Sequence, residues 1–146
     1  MVEDTATQDV MVDLNNSGSA GTTGRPALDA AAMAELRALD PDGKAQLVKR
    51  VLVTYQGSLA RLVEQLAQAR ATNAWDQVSR VAHTLKSSSA SIGALELSAV
   101  CADIERLLRA GEEAAVPPLL DRFRTEVGRV ELAVQATLDH LEATGT

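Results

Sequence analysis

The chain has 146 residues, of which 46% are apolar and 23% charged, and this balance is typical of one folded domain. Twenty acidic against fourteen basic residues give a formal charge of −6, the wrong sign for a protein that binds the phosphate backbone of DNA or RNA. Only three residues are aromatic, so an all-α fold is favoured over a β-rich one. The single cysteine excludes an intramolecular disulfide and a cysteine-based metal site.

The first 24 residues differ from the rest of the chain. They contain four acidic residues and no Lys or Arg, and they end in a run rich in Ser, Gly, Thr and Asn. We predict a flexible acidic tail or linker over 1–24 and a folded domain over 25–146. No segment resembles a signal peptide or is apolar for long enough to span a bilayer, so we expect a cytoplasmic chain without membrane insertion.

Helical periodicity begins after the tail. A short helix is predicted over about 28–39, ended by the turn signal Asp-Pro-Asp-Gly at 40–43. Apolar residues then recur every three or four positions from Leu47 to Leu66, which predicts a long helix ending near Asn73. A third helix follows from Trp75 to Ile92, and Gly93 can end it because glycine accepts a left-handed backbone.

Two further helices complete the pattern. The fourth covers about 97–108 and is closed by Gly111, and the fifth starts at Pro117 and Pro118 and continues to Leu141. Four substantial amphipathic helices with short connections predict an antiparallel four-helix bundle with a short additional N-terminal helix. Because bundles host cofactor sites, scaffolds and signalling modules alike, the fold alone predicts no function.

His83 stands out on the third helix. On a helical wheel it falls about 140° from the centre of the apolar face, so it is predicted to face outward. The residues that share its side are Ser79, Lys86, Ser87 and Ala90, and three of these four are small. An imidazole in such a setting is accessible to a second protein, and its reference pKa of about 6.5 leaves much of it neutral and nucleophilic near pH 7.

The residues around His83 resemble a known family. The run AHTLKSSSASIGA at 82–94, followed by Leu97, Cys101 and Glu105, resembles the signature of histidine-containing phosphotransfer (HPt) domains, in which His-x-x-Lys-Gly is followed by Gly-Ala. The resemblance implies that His83 is the phosphoacceptor, that Lys86 stabilises the phosphate, and that Gly93 marks the turn after the active helix. The chain departs from the pattern at 87, where serine replaces the usual glycine.

The resemblance also implies a mechanism. His83 would accept a phosphoryl group from the aspartyl phosphate of a receiver domain and pass it to the aspartate of another receiver. Mg²⁺ would be held by the receiver, because this chain has neither a Gly-rich phosphate loop nor a carboxylate constellation for magnesium. We therefore expect no cofactor or metal on this chain and no ATP-dependent kinase activity of its own. The domain would be either a freestanding cytoplasmic protein or the C-terminal domain of a hybrid histidine kinase, in which case it could be the cytoplasmic domain of a membrane-bound kinase.

Other polar residues have simpler interpretations. His140 is read as a solvated surface residue, and Cys101, on the apolar stripe of the fourth helix, as a small buried hydrophobe. The serines at 87, 88, 89 and 91 are expected to cover the docking surface and the helix exterior, with Ser79 and Ala90 also at the docking surface. Asp103 and Glu105 are expected to be exposed or helix-pairing charges rather than metal ligands.

Two alternatives remain open. A dimerisation and phosphoacceptor domain of a sensor kinase also presents a histidine on a helical bundle, but there an acidic residue usually follows the histidine, whereas Thr84 follows here. A purely structural helical adaptor would need only the bundle and its exposed faces. Acid-labile phosphate on His83 would exclude that adaptor.

Overall fold

A computed structural model describes residues 25–44 and 46–143, which fold into an all-α structure. The predicted tail over 1–24 lies outside this range. The elements are α1 (Ala30–Ala38), α2 (Leu47–Ala71), α3 (Trp75–Ser91), α4 (Leu95–Arg109), a 3₁₀ turn (Glu113–Ala115) and α5 (Val116–Ala143). None of these helices has both the length and the apolar character needed to cross a bilayer.

The four long helices form the predicted bundle. Each packs on the next in chain order, and α5 returns to α2, so the four helices enclose one core, while α1 packs on α2. The interior is built from aliphatic side chains, and its largest fully buried members are Leu52, Leu59, Leu85, Ile92, Leu97 and Ile104. This core fixes the rotation of each helix and therefore decides which residues reach the surface.

The helix ends follow local chemistry. α1 begins at Ala30 rather than at the predicted 28 because Asp29 is its N-cap, accepting a hydrogen bond from the Ala32 N–H at 3.0 Å. α2 ends two residues before Asn73, which adopts a left-handed backbone (φ 55°). Gly93 and Gly111 follow α3 and α4 with φ of +83° and +76°, as the sequence predicted for helix-terminating glycines.

The turn between α3 and α4 also anchors α1. The Asp29 N–H donates to the Gly93 carbonyl at 2.7 Å, and a Cβ placed on Gly93 would lie only 2.8 Å from the Ala32 Cβ. Glycine at 93 is therefore required both by its backbone conformation and by its close packing against α1. The segment before α1 is also attached near this turn, because Arg25 Nε forms an ion pair at 3.4 Å with the buried carboxylate of Glu96 at the start of α4.

Candidate functional site

His83 lies in the middle of α3, on the face turned away from the core. Val78, Val81, Ala82 and Leu85 on the same helix are buried, whereas 63% of the His83 side chain is exposed to solvent. The structure confirms the outward orientation that the apolar periodicity predicted.

A buried carboxylate on the neighbouring helix holds the imidazole. Glu105 of α4 lies with its Oε2 atom 2.8 Å from His83 Nδ1, and its side chain is only 9% exposed. The same carboxylate accepts a hydrogen bond from Lys86 Nζ at 2.8 Å through Oε1 and pairs with Arg109 Nη2 at 3.1 Å through Oε2. Three cationic or titratable side chains therefore converge on one anion between α3 and α4.

These contacts set the charge of Glu105. The hydrogen bond from Lys86 lowers the pKa of this carboxyl below its ordinary value, against the opposing effect of burial, and the hydrogen bond from His83 lowers it further. Glu105 is therefore a carboxylate at neutral pH, which can only accept hydrogen bonds. The proton of the neutral imidazole is accordingly assigned to Nδ1, and Nε2, which is not the atom in contact with Glu105, keeps its lone pair.

The role of Glu105 corrects an expectation from the sequence. Asp103 is half-buried and pairs with Arg106 at 3.0 Å within α4, in line with a helix-pairing charge. Glu105 does pair with Arg109 one turn later, but it is buried rather than exposed, and its main contacts cross to α3. A signal was present in the sequence, because position 105 continues the four-residue spacing of the buried residues Leu97 and Cys101.

Lys86 and its neighbours complete the surface around His83. The Lys86 side chain is 34% exposed, and its backbone carbonyl accepts a hydrogen bond from Ser98 Oγ of α4 at 2.8 Å, which ties the two helices together beside the site. Ser87 and Ala90 are exposed and Ser79 is half-buried. These small side chains leave the imidazole open to a partner, although position 87 carries serine where the HPt signature usually has glycine.

Two of the four serines depart from the exterior position that was expected, Ser89 completely and Ser88 in part. Ser89 is fully buried, and its hydroxyl forms a 2.8 Å hydrogen bond with the Tyr55 hydroxyl of α2. Ser87 and Ser91 are exposed, and Ser88 is half-buried with a buried hydroxyl oxygen. The reason for the error is helical geometry: Ser89 lies four residues beyond buried Leu85 and therefore faces the core.

Cys101 and His140 behave as the sequence indicated. Cys101 is fully buried, and burial raises the pKa of its thiol to about 12, so the reactive thiolate is suppressed at neutral pH. His140 is exposed in the last turn of α5. Across residues 25–44 and 46–143, no three His, Cys, Asp or Glu side chains form a group that could hold a metal ion.

The part of the chain that contains His83 matches a known protein family. The family model of the Hpt domain matches residues 50–143. The chain belongs to the Hpt domain family. This family carries out histidine phosphotransfer in two-component signalling, and its members interact with receiver domains. His83 and Glu105 both lie inside the matched range.

A solved structure shares the fold of this Hpt domain. Histidine-containing phosphotransfer protein B (HptB) from Pseudomonas aeruginosa PAO1 superimposes with a TM-score of 0.64 at 23% sequence identity. The superposition covers 79% of this chain and 96% of the HptB chain. No curated protein sequence matches the chain.

Proposed function

We propose that this Hpt domain accepts a phosphoryl group on Nε2 of His83 from the aspartyl phosphate of a receiver domain and passes it to the aspartate of another receiver. The observation that carries the proposal is the 2.8 Å contact between Nδ1 of an exposed histidine and a buried carboxylate. That contact occupies one ring nitrogen and orients the other toward a partner.

The transfer step follows from this tautomer. The Nε2 lone pair attacks phosphorus, the bond between phosphorus and the aspartyl oxygen breaks, and the electron pair leaves with the aspartate carboxylate. His83 keeps its Nδ1 proton, so the ring becomes cationic as the phosphorus–nitrogen bond forms. Glu105, already 2.8 Å from Nδ1, stabilises that positive charge without having to move. Onward transfer reverses each of these changes on a second receiver.

Lys86 supplies the second electrostatic element. Lys86 follows His83 by about one helical turn, and its Nζ donates a hydrogen bond to Glu105 Oε1 at 2.8 Å. We propose that it also neutralises the oxygens of the incoming phosphoryl group, since a flexible ammonium group has three donors and can serve two anions. Replacement of Lys86 by Ala is then expected to slow transfer more than it weakens receiver binding.

The receiver brings the remaining chemistry. Phosphoryl transfer depends mainly on positioning and charge neutralisation, and we propose that the receiver holds Mg²⁺ in its own acidic pocket. The small residues Ser79, Ser87 and Ala90 then form the surface against which the receiver packs, and their size lets its aspartate approach Nε2.

The test is phosphotransfer from a purified phosphorylated receiver in the presence of Mg²⁺, followed by mapping of the labelled residue. Phosphate that is lost in acid and stable in alkali is expected on the wild-type domain, and none on His83→Gln. His140→Gln is the matched control, since it removes the other histidine at an exposed position and is expected to keep full labelling. Labelling of His83→Gln at the wild-type level would refute the proposed site.

The role of Glu105 as a positioning residue has its own test. Glu105→Gln removes the charge with almost no change in shape, and it is expected to lower the maximal transfer rate by roughly tenfold or more, with little change in the receiver concentration at half-maximal rate. Glu126→Gln is the control, because Glu126 is an equally buried carboxylate that pairs with Arg129 on α5. Equal effects of the two substitutions would show that Glu105 acts only through stability.

A further inference from the structure

Arg109 joins the site at a position that the sequence interpretation did not include. It is the last residue of α4, its side chain is 69% exposed, and its Nη2 atom contacts Glu105 Oε2 at 3.1 Å. His83 Nδ1 contacts the same oxygen at 2.8 Å. The shared oxygen therefore keeps the guanidinium nitrogen within about 6 Å of the imidazole nitrogen.

The contact uses a small part of the guanidinium group. An arginine side chain has five N–H donors in a planar fork, and the ion pair with Glu105 involves Nη2. The other donors are available to a ligand at an exposed position. The guanidinium geometry matches two oxygens of a phosphoryl group, which makes arginine better suited than lysine to hold such a group in a defined orientation.

Phosphorylation would change the balance of charge around Arg109. In the unmodified domain, Lys86 and Arg109 share the Glu105 carboxylate. A phosphoryl group on Nε2 of His83 adds a second anion near Arg109, across the imidazole ring from Glu105, with up to two negative charges and three acceptor oxygens. As His83 becomes cationic, it takes over part of the neutralisation of Glu105, so Arg109 loses less by turning toward the phosphate.

We infer that Arg109 is a second phosphate-binding residue of this domain, which moves its free donors from the neighbourhood of Glu105 onto the phosphoryl group of His83. The inference rests on the proposed phosphorylation of His83. It extends the cationic part of the site from α3, where Lys86 lies, to the end of α4.

The experiment compares Arg109→Gln, Arg109→Lys and the control Arg106→Gln. Arg106 is on the same helix, has a similar exposure of 65%, and pairs with Asp103 instead of Glu105. Each variant is incubated with the same phosphorylated receiver, and both the transfer rate and the equilibrium division of phosphate between receiver and domain are measured.

Loss of one charge-assisted contact is expected to move the equilibrium away from His83 by about tenfold in Arg109→Gln and to lower the maximal rate by a similar factor. Arg109→Lys is expected to recover part of both effects, because it keeps the charge but not the fork. Arg106→Gln is expected to match the wild type. If Arg109→Gln also matched the wild type, the inference would be overturned. Labelling of His83 in both the wild type and Arg109→Gln would still support the proposed function.

A double-variant cycle separates direct contact from action through Glu105. If Arg109 binds the phosphate, Arg109→Gln is expected to lower the equilibrium yield of phosphohistidine by several-fold even in the Glu105→Gln background. If Arg109 only orients Glu105, the second substitution has no further effect, and that result would overturn the inference. Failure of the wild-type domain to be labelled on His83 would overturn the proposed function and this inference together.

Discussion

Gly93→Ala tests how tightly the turn after α3 is built. The left-handed backbone at φ +83° costs a non-glycine residue about 1–2 kcal/mol. The new Cβ would also lie 2.8 Å from the Ala32 Cβ, whereas carbon atoms in contact prefer about 3.5–4.0 Å. Relief of that overlap requires α1 to move by about 1 Å, which weakens the 2.7 Å hydrogen bond from Asp29 N–H and costs about 1 kcal/mol more.

The expected total is a loss of about 2–3 kcal/mol in the free energy of unfolding, a large part of the 5–15 kcal/mol typical of a domain. Gly111→Ala provides the matched control, since Gly111 has nearly the same φ of +76° but no atom within 4 Å of the added Cβ. That variant is expected to lose only the strain of about 1–2 kcal/mol. Urea unfolding followed by circular dichroism measures both values.

A third variant checks the source of the difference. Ala32→Gly removes the atom that the new Cβ would meet, so the Gly93→Ala/Ala32→Gly pair is expected to be more stable than the sum of the single effects by about 0.5–1 kcal/mol or more. Equal destabilisation by Gly93→Ala and Gly111→Ala would refute the argument that α1 packs closely against this turn.

Three further predictions concern the core, the docking surface and acid stability. Ser89→Ala is expected to cost about 1–3 kcal/mol in urea unfolding because it leaves the Tyr55 hydroxyl buried without its partner, and adding Tyr55→Phe should cost little more; a fully additive loss would contradict this. Ser87→Leu is expected to block transfer from a phosphorylated receiver at an unchanged melting temperature, whereas Ser87→Gly keeps transfer; normal transfer in Ser87→Leu would exclude this docking surface. Because the fold lowers the pKa of Glu105, its contribution to stability is complete above the ordinary value of 4.5 and is lost as the pH falls through the lower folded value. The stability difference between wild type and Glu105→Gln should therefore shrink below about pH 4.5, and a constant difference down to pH 2 would be the contrary result.

Local patterns in the sequence determined the helices and the outward position of His83. The three- and four-residue spacing of apolar side chains is a property of each helix by itself, so it predicted five helices and the outward face of His83 without knowledge of their packing. Glycine at 93 and 111 likewise reports a backbone preference of a single residue, and both positions have the expected left-handed conformation.

The tertiary structure decided which charged side chains surround His83. Glu105 is 22 positions from His83 in the chain, and only the antiparallel packing of α3 on α4 places its carboxylate on Nδ1. Position 105 follows the buried spacing of α4, but a pattern within one helix shows burial and not the partner. The same holds for Ser89, whose hydroxyl meets Tyr55 of α2, and for Arg109, whose place beside the site follows from its contact with Glu105. Contacts between helices depend on relative rotation and register, which result from packing of the whole core and are not encoded in the period of any one helix.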